Sequence, residues 1–174
     1  MRVSRKIVSE KGLPALNMRA LAKECGIALG TLYNYYSDKD ELVVAAIESV
    51  WQDILEKSAP DSGVRFSQYV TQIYARILSG LKDYPDFFAA HSISVAGSAK
   101  GKARGTMERC FGKIRSELHA ALREDKNVDR SIFSETFREE DLIEHILDTI
   151  TISIINGKPD CTVLTEILDR LLYR

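Results

Sequence analysis

Apolar residues recur at three- and four-residue spacing along nearly the whole chain, and strict alternation of apolar and polar residues persists nowhere. That spacing gives a helix one face to bury and gives a strand none, so it restricts the chain to an all-α fold. Glycine and proline punctuation between the periodic stretches divides it into about nine helices, near 2–11, 18–25, 28–36, 39–57, 65–83, 86–96, 101–124, 139–156 and 161–172. The breaks carry their own chemistry. Gly12 and Pro14 end the first helix, and Asn17 has the side-chain oxygen of an N-cap for the second. Gly26 stands where a sharp turn requires a positive φ. Ser37 or Asp38 caps the fourth helix, and Gly157 suits the residue after a helix end. Residues 125–138 read as a loop or a short additional helix.

A chain of 174 residues, 45% hydrophobic and 28% charged, buries a real core and is neither disordered nor fibrous. No apolar run approaches the length of a membrane span. The opening "MRVSRKIVSEKG" is charged, unlike a signal segment, so the expected location is cytoplasmic. Cys25, Cys110 and Cys161, like His91, His119 and His145, are scattered without metal-ligand spacing, so neither a metal nor another cofactor is expected. Catalytic motifs are missing too. There is no GxSxG elbow and no HExxH, and "GSAKGKA" is a residue short of P-loop spacing and lacks the hydroxyl residue after its lysine. Asp141 and His145 in "EEDLIEHILD" read as a solvated i, i+4 pair. No residue is assigned a catalytic role, and an enzyme is not expected.

The net charge of −1 hides an asymmetry. Residues 1–36 hold Arg2, Arg5, Lys6, Lys11, Arg19 and Lys23 against Glu10 and Glu24, an excess of +4 that suits a head facing a polyanion. Within it, "NMRALAKECGIALGTLYNYY" reads as a short helix, a tight turn at Gly26 and a second short helix, the helix-turn-helix arrangement. Leu21, Cys25, Ile27, Leu32 and Tyr36 are the expected buried contacts, and Ala22 allows close approach. Ala28, Leu32 and Tyr36 at i, i+4, i+8 point inward, which turns Leu29, Gly30, Tyr33 and Asn34 outward. An outward face with a bare glycine and a leucine suits a helix pressed into a DNA groove. A corner of a helical bundle with surface tyrosines is the plainer reading of the same spacing.

The stretch from "EKG" at 10–12 through "MRALAKECGIALGTLYNYYSDKDEL" closely resembles the DNA-binding head of the TetR family of bacterial regulators. Asn17 stands where threonine is commoner, Leu29 where relatives are often basic or polar, and Tyr36 where phenylalanine is usual. The first helix is shorter than in most relatives, through trimming or because the start lies too far downstream. The resemblance implies DNA-binding roles for Asn17, Arg19, Leu29, Gly30, Thr31, Tyr33, Asn34, Tyr35 and Lys39. Tyr33, Tyr35, Thr31 and Lys39 would meet phosphates, Arg19 a phosphate or guanine, and Leu29, Gly30 and Asn34 base edges. It divides the chain into a DNA-binding domain, 1–45, and an effector-binding and dimerisation domain, 46–174.

In that second part, "DLIEHILDTITISIIN" aligns Ile143, Ile146, Leu147, Ile150 and Ile154, and "CTVLTEILDRLLYR" aligns Leu164, Ile167, Leu168 and Leu171. A seam this broad exceeds what one partner helix covers, and the resemblance makes it a homodimer interface that spaces two heads about 34 Å apart on a palindromic operator of double-stranded DNA; a hairpin packed only within its own subunit is the plainer alternative. The resemblance also implies an effector cavity, for which Trp51, Tyr74, Phe88, His91 and Phe111 are the expected lining and a small apolar or aromatic molecule the expected ligand. The function implied is a ligand-responsive repressor. A helical module binding protein or RNA through the basic run Lys100, Lys102, Arg104, Arg109, Lys113 and Arg115 is the alternative.

Overall fold

The computed structural model describes residues 1–56, 61, 63–85, 87 and 100–173, without the side chains of 100–107 and 110. Among the described residues the protein is all-α, with no strand and eight α-helices: α1 Arg2–Lys11, α2 Met18–Cys25, α3 Leu29–Tyr33, α4 Lys39–Glu56, α5 Phe66–Leu81, α6 Lys100–Glu124, α7 Glu139–Ile155 and α8 Thr162–Leu172. A 3-10 turn, Leu13–Ala15, joins α1 to α2. The helix expected near 86–96 lies outside the described residues except for Phe87. Residues 125–138 contain a 3-10 turn at Arg130–Ile132 and a tight reversal in which Ser134 and Phe137 exchange backbone bonds of 2.9 and 3.3 Å.

The chain forms two compact units, Met1–Lys57 with Ser79–Cys110, and Ser58–Leu78 with Phe111–Arg174. The expected boundary at 45–46 falls within α4, which runs unbroken from Lys39 to Glu56. The first unit is built on the apolar faces of α1, α2 and α4 with Leu16 from the link between α1 and α2: Ile7, Val8, Leu16, Leu21, Leu42, Ile47, Val50 and Ile54 are all buried. Fully burying each such side chain contributes roughly 1.5–3 kcal/mol, so this shared core outweighs the intrinsic helix preferences of segments this short. Polar ties add direction. Arg5 donates to Ser49 Oγ at 3.0 Å and pairs with Asp53 at 3.5 Å, and Tyr84 donates its hydroxyl to Asp53 Oδ2 at 2.7 Å. Trp51 is buried with its ring edge-on to Phe87, centroids 6.2 Å apart.

The second unit packs α5, α6, α7 and α8 around Phe66, Ile73, Ile77, Leu118, Leu122, Ile143, Ile146 and Leu168. At the start of α5 the backbone N–H of Phe66 donates to Asp125 Oδ2 (2.9 Å) and to the Tyr173 hydroxyl (2.8 Å), which itself donates to Asp125 Oδ2 at 2.6 Å. Asn127 donates its N–H and its side-chain amide to the other Asp125 oxygen. The buried Asp125 carboxylate therefore meets the positive end of α5 with every lone pair answered in a favourable place.

Burial assigns the apolar stripes of α7 and α8 to the chain itself. Ile143, Ile146, Leu147, Ile150, Ile154, Leu164 and Leu168, expected at an interface between copies, are covered within this one chain. Of the nine residues in that seam only Ile167 and Leu171 are exposed, as are Ile152 and Ile155 of α7 and Val163 of α8. The physical reason is that both helices are apolar on more than one face, and the chain's own core takes the fuller one.

Candidate nucleic-acid interface

The helix-turn-helix begins at a cap. Asn17 Oδ1 accepts from the Ala20 N–H at 3.0 Å, and Asn17 Nδ2 donates to the Ala15 carbonyl at 3.2 Å, so both ends of its amide hold the start of α2. The helix stops at Gly26, whose φ of 66° and ψ of 30° are left-handed. Ile27 then folds back, its N–H bonded to the Ala22 carbonyl at 3.1 Å. Five residues follow as α3, with Leu32 driven into the head beside the buried Leu21, Ala22 and Met18.

Fixing Leu32 inward fixes what points outward. Gly30, Thr31, Asn34 and Lys39 are exposed, and Tyr33 and Tyr35 are 53% and 71% exposed, large values for aromatic rings. Leu29 is half-buried and Arg19 exposed. Gly30 has an ordinary helical φ, and a Cβ added there would meet nothing within 4 Å. No internal crowding requires a glycine at this position. Lys39 opens α4, where Asp38 Oδ1 accepts from the Glu41 N–H and Glu41 Oε2 accepts from the Ser37 N–H, each at 2.7 Å. These two carboxylates cap the start of α4, so what Lys39 offers a phosphate there is its own exposed charge.

Three of the expected buried contacts lie elsewhere. Cys25 and Ile27 are exposed because they flank the left-handed turn, where the helical count resets, and Ala28 is exposed because it takes the extended conformation preceding α3. Tyr36 is half-buried, its hydroxyl 3.0 Å from the Met1 sulfur; burial, with Cys25 and Glu41 nearby, pushes its pKa up.

The head's cations are not equivalent. Arg5 pairs with Asp53, Lys6 with Glu10 at 4.0 Å and Lys11 with Glu24 at 3.4 Å. Arg2, Arg19, Lys23 and Lys39 have no carboxylate partner among the described residues. Further along, Arg109 pairs with Glu48 at 3.2 Å and Arg115 with Glu144, so part of the 100–115 basic run is neutralised within the fold. Asp141 binds Arg138 at 2.7 Å rather than His145; the guanidinium's hydrogen bonds lower its pKa to about 2.

A family model described as bacterial regulatory proteins, tetR family, matches residues 1–46, the span that holds this cap, turn and exposed helix. Residues 1–46 are thus similar to the DNA-binding head of the TetR family. An uncharacterised HTH-type transcriptional regulator of Haemophilus influenzae is 34% identical over 45% of this chain and 49% of its own. The regulator UidR of Escherichia coli is 32% identical over 41% of this chain and 37% of its own. These matches therefore span under half the length of the curated relatives. Both relatives are described as HTH-type transcriptional regulators. Among solved structures, the multidrug binding protein EbrR complexed with imidazole superposes with a TM-score of 0.62 at 16% identity, covering 99% of this chain and 92% of that one. A TetR-family regulator from H. influenzae gives 0.53 at 19%, covering 99% and 93%. At those identities the likeness is one of fold.

The expected effector-lining residues divide. Trp51 lies in the first unit; Tyr74 and Phe111 lie in the second, Tyr74 buried with its hydroxyl on the Lys158 carbonyl at 2.8 Å and Phe111 half-buried. Phe88 and His91 lie outside the described residues.

Proposed function

We propose that this chain is a cytoplasmic transcriptional repressor of the TetR family that binds a palindromic operator as a homodimer and releases it when a small effector with an apolar or aromatic body occupies residues 46–174. One observation carries the DNA-binding half: α3 and the turn that follows it put Tyr33 and Tyr35 into solvent near a glycine that nothing inside the protein requires. The hydroxyls of Tyr33, Tyr35 and Thr31 suit backbone phosphates, and Lys39 adds the charge; Leu29, Gly30 and Asn34 are left for base edges, with Arg19 beside them. Asn17 acts through the placement of α2, since its amide is already engaged. Dimerisation falls to the exposed apolar surface of α7 and α8 rather than to the stripe inside them.

Operator binding by Tyr33→Ala and Lys39→Ala, followed as a function of salt, tests the reading. Each is expected to weaken binding about 5- to 100-fold, by the worth of a phosphate contact. Only Lys39→Ala should make the salt slope shallower, because only it removes a charge that releases counterions. Wild-type affinity and slope in both variants would remove the phosphate assignments. Deleting residues 1–45 separates the alternative, since an interaction module without a DNA role would keep its partner.

A further inference from the structure

A groove of about 730 Å3 runs between the start of α5 and the last turns of α6, within the second unit. That is the size of a site for a drug-sized organic molecule. From α6, Glu117 and Glu124 line it seven residues apart, two turns along one face, with the small side chains of Ala120 and Ala121 between them. From α5 comes the half-buried ring of Tyr69.

The charges lining the groove are not interchangeable. Asp125 is occupied by Phe66, Tyr173 and Asn127, and so covers the positive end of α5. Glu117 is shared with the buried Arg76 at 2.5 Å. Arg65 lies over the Tyr173 ring, 4.8 Å from its centroid, and Lys126 is exposed. Glu124 has no ion-pair partner among the described residues. It is also the last residue of the 25-residue α6, whose final carbonyls concentrate negative potential; the Arg130 guanidinium answers only the Leu122 carbonyl among them, and a carboxylate at this end is disfavoured. A cation placed there is attracted by both.

We infer that the groove binds an organic cation with a flat apolar body, of the arylamidinium or arylammonium class, its charge on Glu124 and the end of α6 and its ring between Tyr69 and the Ala120–Ala121 floor. A ring stacked there gains the face of Tyr69 as well as contact area, and the charge fixes which end points to α6. In the regulatory reading this is the effector site, a consequence that rests on that reading; the binding itself does not. It also differs from the lining expected from the sequence.

Calorimetric titration of the full chain with benzamidinium and with benzamide, its neutral isostere, tests the assignment. Benzamidinium is expected to bind at least about ten-fold more tightly, the worth of one charge-assisted contact. Glu124→Gln should remove that preference and leave benzamide unchanged, whereas Tyr69→Leu should weaken both, with circular dichroism confirming that each variant folds. Equal binding of the two compounds, no binding of either at millimolar concentration, or an unaltered preference in Glu124→Gln would overturn it. Operator affinity, measured separately without either compound, distinguishes the two ideas. If DNA binding fails while benzamidinium still binds through Glu124, the regulatory reading falls and the groove stands.

Discussion

Gly80 has no room for a methyl group: a Cβ there would lie 2.6 Å from Ile54 Cγ2 and 3.0 Å from Ile54 Cβ. Ile54 is fully buried and stiff at its branched carbon, so it cannot swing aside. Gly80→Ala is therefore expected to cost about 1–3 kcal/mol as overpacking, read as a lower urea midpoint at unchanged slope. Asp125 makes a prediction in pH. Burial alone would raise its pKa, but the hydrogen bonds from Tyr173, Phe66 and Asn127 together outweigh burial and hold it below the usual range. A depressed folded value means the unfolded chain takes up the proton first. The stabilisation from Asp125 is then complete above its unfolded pKa of about 3.9 and is lost as pH falls through the lower folded value. Urea denaturation across acidic pH should show a shallower acid limb for Asp125→Asn than for wild type. Neither residue announces its role in the sequence, because Gly80 depends on what another helix places opposite it and Asp125 on the meeting of two distant segments.

At the scale of elements, α3 allows stability and binding to be moved in opposite directions. Gly30→Ala is expected to stabilise the head by roughly 0.5–1 kcal/mol, since alanine fits the helix and meets nothing. The same methyl group should lower operator affinity if a DNA surface approaches this face closely. A thermal melt and an operator titration on one variant check both halves, and unchanged affinity would leave Gly30 without a role at the interface. The ends of α1 and α2 were legible because single residues write them: Gly12, Asn17 and Gly26 sit where a stop, a cap and a left-handed turn are needed. The extent of α3 was not. Ala28 offers no capping oxygen and the chain leaves the helix after Tyr33, so spacing that runs on to Tyr36 overstates a helix of five residues.

For the whole molecule, Ile152, Ile155, Val163, Ile167 and Leu171 are exposed, and the proposed homodimer assigns them to the contact between copies. Ile155→Asp combined with Ile167→Asp is expected to give a folded monomer by light scattering, with native helix content by circular dichroism. A persistent dimer would place the contact elsewhere. The sequence displayed both apolar faces of α7 and α8 but not which of them the chain covers for itself, because amphipathic spacing records burial and not the identity of the neighbour. The all-α class was legible throughout, since periodicity alone decides it. The pairing of Arg5, Lys6 and Lys11 with carboxylates has a last consequence, in time rather than in affinity. Sharing three of the head's seven cations with carboxylates weakens its grip on arbitrary DNA relative to a head with all seven free. On the proposed function, such a head would find its site through briefer landings and shorter slides along the duplex, and its search should slow less steeply with added salt than that of a protein with a wholly unpaired basic surface.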